Sequence, residues 1–330
     1  MNRSAEHGMA LVSVLGMLTL FMMLIGLIVA MSQTTRFTTA TAVQLEESVY
    51  RNESAGNRAL WLLMNDRAVY TDRSLSPDKE QLVQRERFRA DGRIHIIEVD
   101  GIPVEVRITD MNRGLNLSGF NPGAAFNVWN AYFERRPEER KAFDIFKNRL
   151  MDYVDSDDLL RTDGMENADY EILRKQPLPR NAPLQYAEEI LWIPGAEKFI
   201  QVSENGELPD LTPIAPRGLQ FYAGRPNVFS ATPQLIQRCC DFTDPELVLV
   251  TERLQKVRDG IFSITEAFYR EPFLLERLKQ RFSFGESSYY TFAIRIGKGT
   301  ILPGRTLVVS IKLNQSLADR EMQLMEWKCW

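Results

Sequence analysis

The sequence predicts an α+β protein: a long amino-terminal helix packed on a small antiparallel sheet, with a large all-helical domain inserted between the sheet strands. Three observations predict it. Residues 9–31 are almost unbroken apolar, and helix-like spacing continues beyond them to about residue 66. Two strand pairs are readable at 92–109 and 289–313, separated by most of the chain. The stretch between them, 111–284, carries helical rather than alternating spacing.

The apolar run MALVSVLGMLTLFMMLIGLIVAM (Met9–Met31) is interrupted only by Ser13, Gly16, Thr19 and Gly26, and no charge appears from Met9 to Thr35. As a helix it spans roughly 34 Å at ~1.5 Å per residue, enough to cross a ~30 Å hydrocarbon core. A secretory signal has an apolar region of only ~7–15 residues followed by small residues at a cleavage site. This run is longer and has no A-x-A-like end, so an uncleaved anchor is the plainer reading. Beyond it, Leu45, Val49, Asn52, Gly56, Ala59 and Leu63 alternate at spacings of four and three, which puts them on one helix face. Asn52 and Gly56 weaken that stripe. The threonine-rich QTTRFTTATA (33–42) has low helix propensity, so a loosened turn or a separate juxtamembrane helix is the alternative.

GRIHIIEV (92–99) and IPVEVRIT (102–109) are rich in β-branched residues and joined by Asp100-Gly101, a strong two-residue hairpin signal. His95 falls between Ile94 and Ile96 and reads as a packed or exposed histidine rather than a ligand. YYTFAIRIG (289–297) and RTLVVSIKL (305–313) form the second pair, joined by a loop at 298–304. In the middle, FNVWNAYFERRPEERKAFDIFKNRLMDYV, YAEEILWI, TPQLIQRCC, DPELVLVTERLQKV and REPFLLERLKQRF have helical spacing, and prolines break up the region between 177 and 216. The expected organisation is a leader at 1–8, a helix at 9–66 with 9–31 in the membrane, a sheet domain from 67–110 and 285–330, and an inserted helical domain at 111–284. The insert reads as two lobes, about 111–195 and 222–284.

Composition excludes several functions. With 40 basic and 44 acidic residues the net charge is −4, against a binder driven by phosphate neutralisation. A helix-hairpin-helix reading of PNVFSATPQLI lacks a basic surround. Two histidines, one in the leader, leave no Ser-His-Asp set, and no carboxylate pair sits in a glycosidase frame. The chain therefore reads as a non-enzyme. Cys239, Cys240 and Cys329 cannot build a disulfide framework and lack zinc spacing, and their redox state is open.

What precedes the apolar run completes a pattern. Met1–Gly8 is short and polar, holds Arg3, and Gly8 falls at the switch to apolar sequence. This resembles the class III leader of type IV pilins and type II secretion pseudopilins. The resemblance implies cleavage between Gly8 and Met9, N-methylation of Met9, and filament packing through Met9, Ser13, Leu45 and Val49. That family usually has Glu at the fifth mature position, where this chain has Ser13. A carboxylate in hydrocarbon is costly unless paired, and a subunit without it is poorly suited to a repeated filament position. The K-type minor pseudopilin characteristically lacks this Glu.

Five further phrases, in order, resemble the K-type family: ITDMNRGLNLSGF (108–120), LMDYVDSDDLLRTDGMENADY (150–170), PLPRNAPLQYAEEILWIPG (177–195), GRPNVFSATPQLI (224–236) and SSYYTFAIRI (287–296). Tyr153 stands where Trp is common, and Phe229-Ser230 replaces Asn-Thr. The resemblance implies a pilin-like fold. It also implies a minor pseudopilin that caps the tip of a periplasmic pseudopilus, helps initiate it, and so serves protein export. The implied partners are I and J type minor pseudopilins, the major pseudopilin, the prepilin peptidase and the inner-membrane assembly platform, with no nucleic acid. The implied location is the bacterial inner membrane, single pass, with the amino terminus cytoplasmic and the bulk periplasmic. A single-pass membrane-anchored periplasmic binding protein, or a minor pilin of a related type IV pilus, remains the alternative.

Asp152, Asp155, Asp157, Asp158, Asp163, Glu166 and Asp169 crowd one segment. Hard cations take several oxygen ligands, so Asp155, Asp157, Asp158 and Glu166 are candidate Ca²⁺ ligands. An EF-hand is rejected, because Leu159 and Leu160 occupy the positions that need an oxygen ligand and a glycine. The competing reading is that these carboxylates cap helix ends and face water.

Overall fold

A computed structural model describes residues 3–69, 87–174, 179–203, 207–214, 224–297, 305–313 and 322–329. The expected loop at 298–304, most of the polar stretch before the first strand, and parts of the proline-rich region lie outside these residues.

Helix α1 (Arg3–Val69) is one continuous helix of 67 residues, roughly 100 Å long at ~1.5 Å per residue. It passes through the threonine-rich stretch without loosening. There Thr34, Thr35, Thr38 and Thr41 each donate a hydroxyl to the carbonyl four residues back, so their side chains are satisfied on the helix's own backbone and the low propensity of the stretch does not interrupt it. It also includes the leader residues described, beginning well before residue 9.

The sheet has five antiparallel strands in sequence order: β1 (Asp91–Val99), β2 (Ile102–Asp110), β3 (Tyr289–Ile296), β4 (Leu307–Leu313) and β5 (Met322–Cys329). The first four are the predicted pairs. Asp100 and Gly101 both take positive φ, 50° and 75°, as the tight hairpin turn requires. The edge strand β5 was not expected. Ala55, Ala59 and Leu63 of α1 bury against one face of the sheet, with Val104, Val106, Ile108, Phe292 and Ile294. Gly56 lets the helix approach β3, since a Cβ there would lie 2.7 Å from Ile294 Cδ1. Asn52 Nδ2 donates to Arg305 O at 2.7 Å and pins the helix near the start of β4. Arg87 grips Asp66 through two hydrogen bonds, at 2.7 and 3.0 Å, and fixes the end of the helix.

Between β2 and β3 stands the helical insert: α2 (Asn130–Glu134), α3 (Pro137–Val154), α4 (Asn167–Ile172), α5 (Pro233–Cys240), α6 (Asp244–Arg258), α7 (Ile264–Ala267) and α8 (Pro272–Arg281), with short 3-10 turns. Proline explains the breaks. The helical stretch expected from Phe126 divides at Pro137, and Pro137, Pro233 and Pro272 each start a helix, where a missing N–H costs nothing. YAEEILWI forms a 3-10 turn, Ala187–Trp192, rather than an α-helix. The two stretches expected as lobes share one apolar core. Phe126, Trp129, Phe133, Phe143, Phe146 and Phe199 stack within it, with Phe133 and Phe143 centroids 4.3 Å apart, and Arg238 of α5 lies over Trp129 at 4.8 Å.

Candidate functional site: the amino-terminal helix and the acidic loop

Along the first half of α1 the described side chains are exposed. From Val12 to Met31 the large apolar side chains described are exposed, between 48% at Val29 and 76% at Met23. A helix apolar on every side needs lipid or other helices around it, because water solvates no such surface without penalty. The stretch is long and apolar enough to cross a membrane, with mean hydropathy 2.6. Gly8 and Met9 lie within the continuous helix, and the side chains of Met9 and Ser13 lie outside the described residues.

Lower down, the buried face of α1 is centred on Ser48, Asn52, Ala55, Ala59 and Leu63. Leu45 and Val49, expected to pack in a filament, sit at its margin and are half-buried within this chain. Phe37, Val43, Tyr50 and Trp61 are the large exposed side chains at this level.

In the acidic loop the four expected ligands do not converge. Asp155 ends α3 and pairs with Arg161. The Arg161 guanidinium also holds buried Asp152 at 2.6 Å. Both carboxylates raise the Arg161 pKa. Asp157 is exposed and accepts from Leu159 N at 3.0 Å, a local turn within the loop. Asp158 is exposed. Glu166 is buried, and both of its carboxylate oxygens, together with Asp155 Oδ1, lack a hydrogen-bond partner. Burial, then the charges of Asp152 and Asp155, push Glu166 up to about 7. Among the described residues no three His, Cys, Asp or Glu side chains form a group able to hold a metal. Three buried, partnerless oxygens still fit a cation or a proton, since a buried acceptor left unmade is costly.

Sequence reasoning missed what the resembling phrases do jointly. Asp110, where the chain leaves the sheet, accepts from Ser287 N and Oγ, both at 2.6 Å, from Asn112 N at 2.9 Å and from Asn227 Nδ2 at 3.3 Å. Three of the five phrases thus meet at one buried carboxylate that ties the insert to the sheet. In the 150–170 phrase, Asp152 Oδ2 accepts from Arg161 N at 3.3 Å and Met165 N at 3.0 Å. Gly164 belongs there because a Cβ would fall 1.8 Å from that same oxygen. In the 177–195 phrase, Glu189 accepts from Gln185 N, Tyr186 N and Arg180. No local signal in the sequence marks these roles.

The architecture is that of an α+β protein with a long amino-terminal helix and a sheet interrupted by a helical insert. No protein-family model matches the chain, and no curated protein matches it. A solved structure is similar: a chain of the GspK-GspI-GspJ complex from the enterotoxigenic Escherichia coli type 2 secretion system. The identity is 16%, the match covers 85% of this chain and 99% of that chain, and the TM-score is 0.45.

Proposed function

We propose that this chain is a K-type minor pseudopilin of a type II secretion system, a structural subunit rather than an enzyme. The observation that carries the reading is α1 itself, whose described stretch from Val12 to Met31 is exposed and apolar while its later turns are sealed onto the sheet. Such a helix keeps the head fixed while its free half exchanges lipid for neighbouring helices. The leader ending at Gly8 supports processing there, with N-methylation of Met9. Ser13 in place of a carboxylate suits a position that is not repeated, at the tip. The insert between β2 and β3 adds bulk that blocks a subunit from stacking above. The same reading supplies I and J type minor pseudopilins as partners, beside the major pseudopilin, the prepilin peptidase and the assembly platform. It places the head in the periplasm and the amino terminus in the cytoplasm. A calcium ion at Asp155 and Glu166 belongs to the proposal as an alternative to a proton on Glu166.

Intact-mass analysis of the membrane-extracted protein tests the reading. The expected species begins at methylated Met9 and co-purifies with short pilin-like subunits. A protein that still begins at Met1 and stays alone would overturn it.

A further inference from the structure

The sheet face opposite α1 is roofed in part by the insert, leaving a cleft of about 440 Å³. Its floor is Arg107 and Thr109 of β2 with Thr291 and Arg295 of β3, and Arg258 at the end of α6 reaches in from the insert. Four arginines and two glutamates line it, Arg107, Arg113, Arg258 and Arg295 with Glu105 and Glu207, so the cleft is positive in a chain of net charge −4. Two pairs are internally matched: Arg295–Glu105 at 2.7 Å and Arg113–Glu207 at 3.4 Å.

Arg107 and Arg258 are not matched. Neither makes an ion pair within 4.0 Å among the described residues. Asp91, near Arg258, is committed to Arg93 at 3.0 Å. Asp259, also near it, accepts from Gln255 at 2.8 Å. Arg258 is held in place by donating to Phe229 O at 2.9 Å and Gln255 Oε1 at 3.0 Å, while its Nε is buried without a partner. A partly buried guanidinium without an ion-pair partner, facing a second one, is an arrangement whose charge carboxylates satisfy. The two hydroxyls beside the arginines are already committed, Ser230 to Asp110 N and Ala90 O and Thr291 to Ser310, so the arginines are the charged recognition groups. The cleft is far larger than one ion needs. On its β1 side Ile94 is 45% exposed, and Ile96 beyond it is 58% exposed, offering apolar contact beside the charges.

We propose that this cleft binds an acidic peptide segment of another protein, with Arg107 and Arg258 gripping its carboxylates. The cleft lies across the sheet from α1, so the proposal stands whether or not the chain enters a filament.

The test uses the full-length protein in detergent micelles and fluorescence anisotropy of two fluorescein-labelled decapeptides, (Glu-Ala)₅ and (Gln-Ala)₅. The expected result is saturable binding of the Glu peptide, at least tenfold tighter than the Gln peptide. R107A, on an exposed strand position, is expected to weaken it at least tenfold, whereas R140A on the exposed face of α3 changes it less than twofold. R258Q is expected to act like R107A provided its melting curve matches the parent, and R107A decides the matter if it does not. Equal binding of the two peptides, or unchanged binding in R107A, overturns the proposal. So does inorganic phosphate that displaces the Glu peptide at equimolar concentration, since the site would then be one for a small anion.

Discussion

At the scale of single residues, burial sets the chemistry of the cysteines and of the junction carboxylate. Burial pushes the Cys239 and Cys240 thiols up to about 12, whereas Cys329 is exposed on the edge strand. Thiolate is the reactive form, so native protein treated with iodoacetamide at pH 8 is expected to take one label, at Cys329, and three only after unfolding. Peptide mapping reads the result, and labelling of the vicinal pair in the folded state contradicts it. Asp110 is the more consequential case. Desolvation raises its carboxyl above the usual range, although four donors pull it back. A carboxyl with a raised folded pKa stabilises the fold fully below its unfolded pKa, and that stability is lost as pH rises through the folded value. Asp110→Asn removes this slope. It also gives up one acceptor oxygen, leaving a donor unmet at about 1–3 kcal/mol. The variant is therefore expected to melt lower than the parent at pH 4, with the gap narrowing towards pH 8. A gap that widens with pH refutes the sign.

At the scale of elements, close backbone approaches decide where substitutions hurt. The segment after β2 pairs with residues 210–212 through Leu115 N to Asp210 O and Thr212 N to Leu115 O, both 2.9 Å. A Cβ on Gly114 would stand 2.3 Å from Asp210 O, and backbone cannot swing away as a side chain does. Gly114→Ala is expected to cost roughly 3 kcal/mol. Gly224→Ala, with nothing within 4 Å, is expected to be within about 0.5 kcal/mol of the parent, and urea denaturation compares them. These elements also show what a sequence discloses. Strands β1 to β4 announce themselves because alternation and the Asp100-Gly101 turn are local signals. Strand β5 does not. Its MQLMEWKC carries exposed Met322, Leu324 and Trp327, and its register slips at Ser310/Ile311, so alternation is blurred. The Asp110 junction is illegible for another reason. Its partners stand 117 and 177 residues away, and only folding brings them together. In the acidic loop the carboxylates were visible one by one. The cation that binds two of them, Arg161, was not, because a guanidinium six to nine residues away has no fixed place until the loop closes.

At the scale of the whole molecule there are two hydrophobic cores, and their separation is a thermodynamic statement. One lies between α1 and the sheet, around Ala59, Leu63, Val106 and Ile294. The other fills the insert, around Trp129, Phe143 and Leu278. Between them stand the polar Asp110 network and the small cluster of Met111, Tyr289 and Met325. Hydrogen bonds at such a junction contribute about 1 kcal/mol each net, far less than either core. Two cores joined this weakly should unfold as two units, so calorimetry of the detergent-solubilised full chain is expected to resolve two transitions. Truncating a buried ring or leucine costs about 3–5 or 2–5 kcal/mol. Phe143→Ala should therefore lower the insert's transition by roughly 10 °C, at about 2–4 °C per kcal/mol, and leave the other in place. Leu63→Ala should do the reverse. If either substitution moves both transitions together, the junction couples the cores more strongly than its few hydrogen bonds allow. The head would then respond as one body to a load carried along α1.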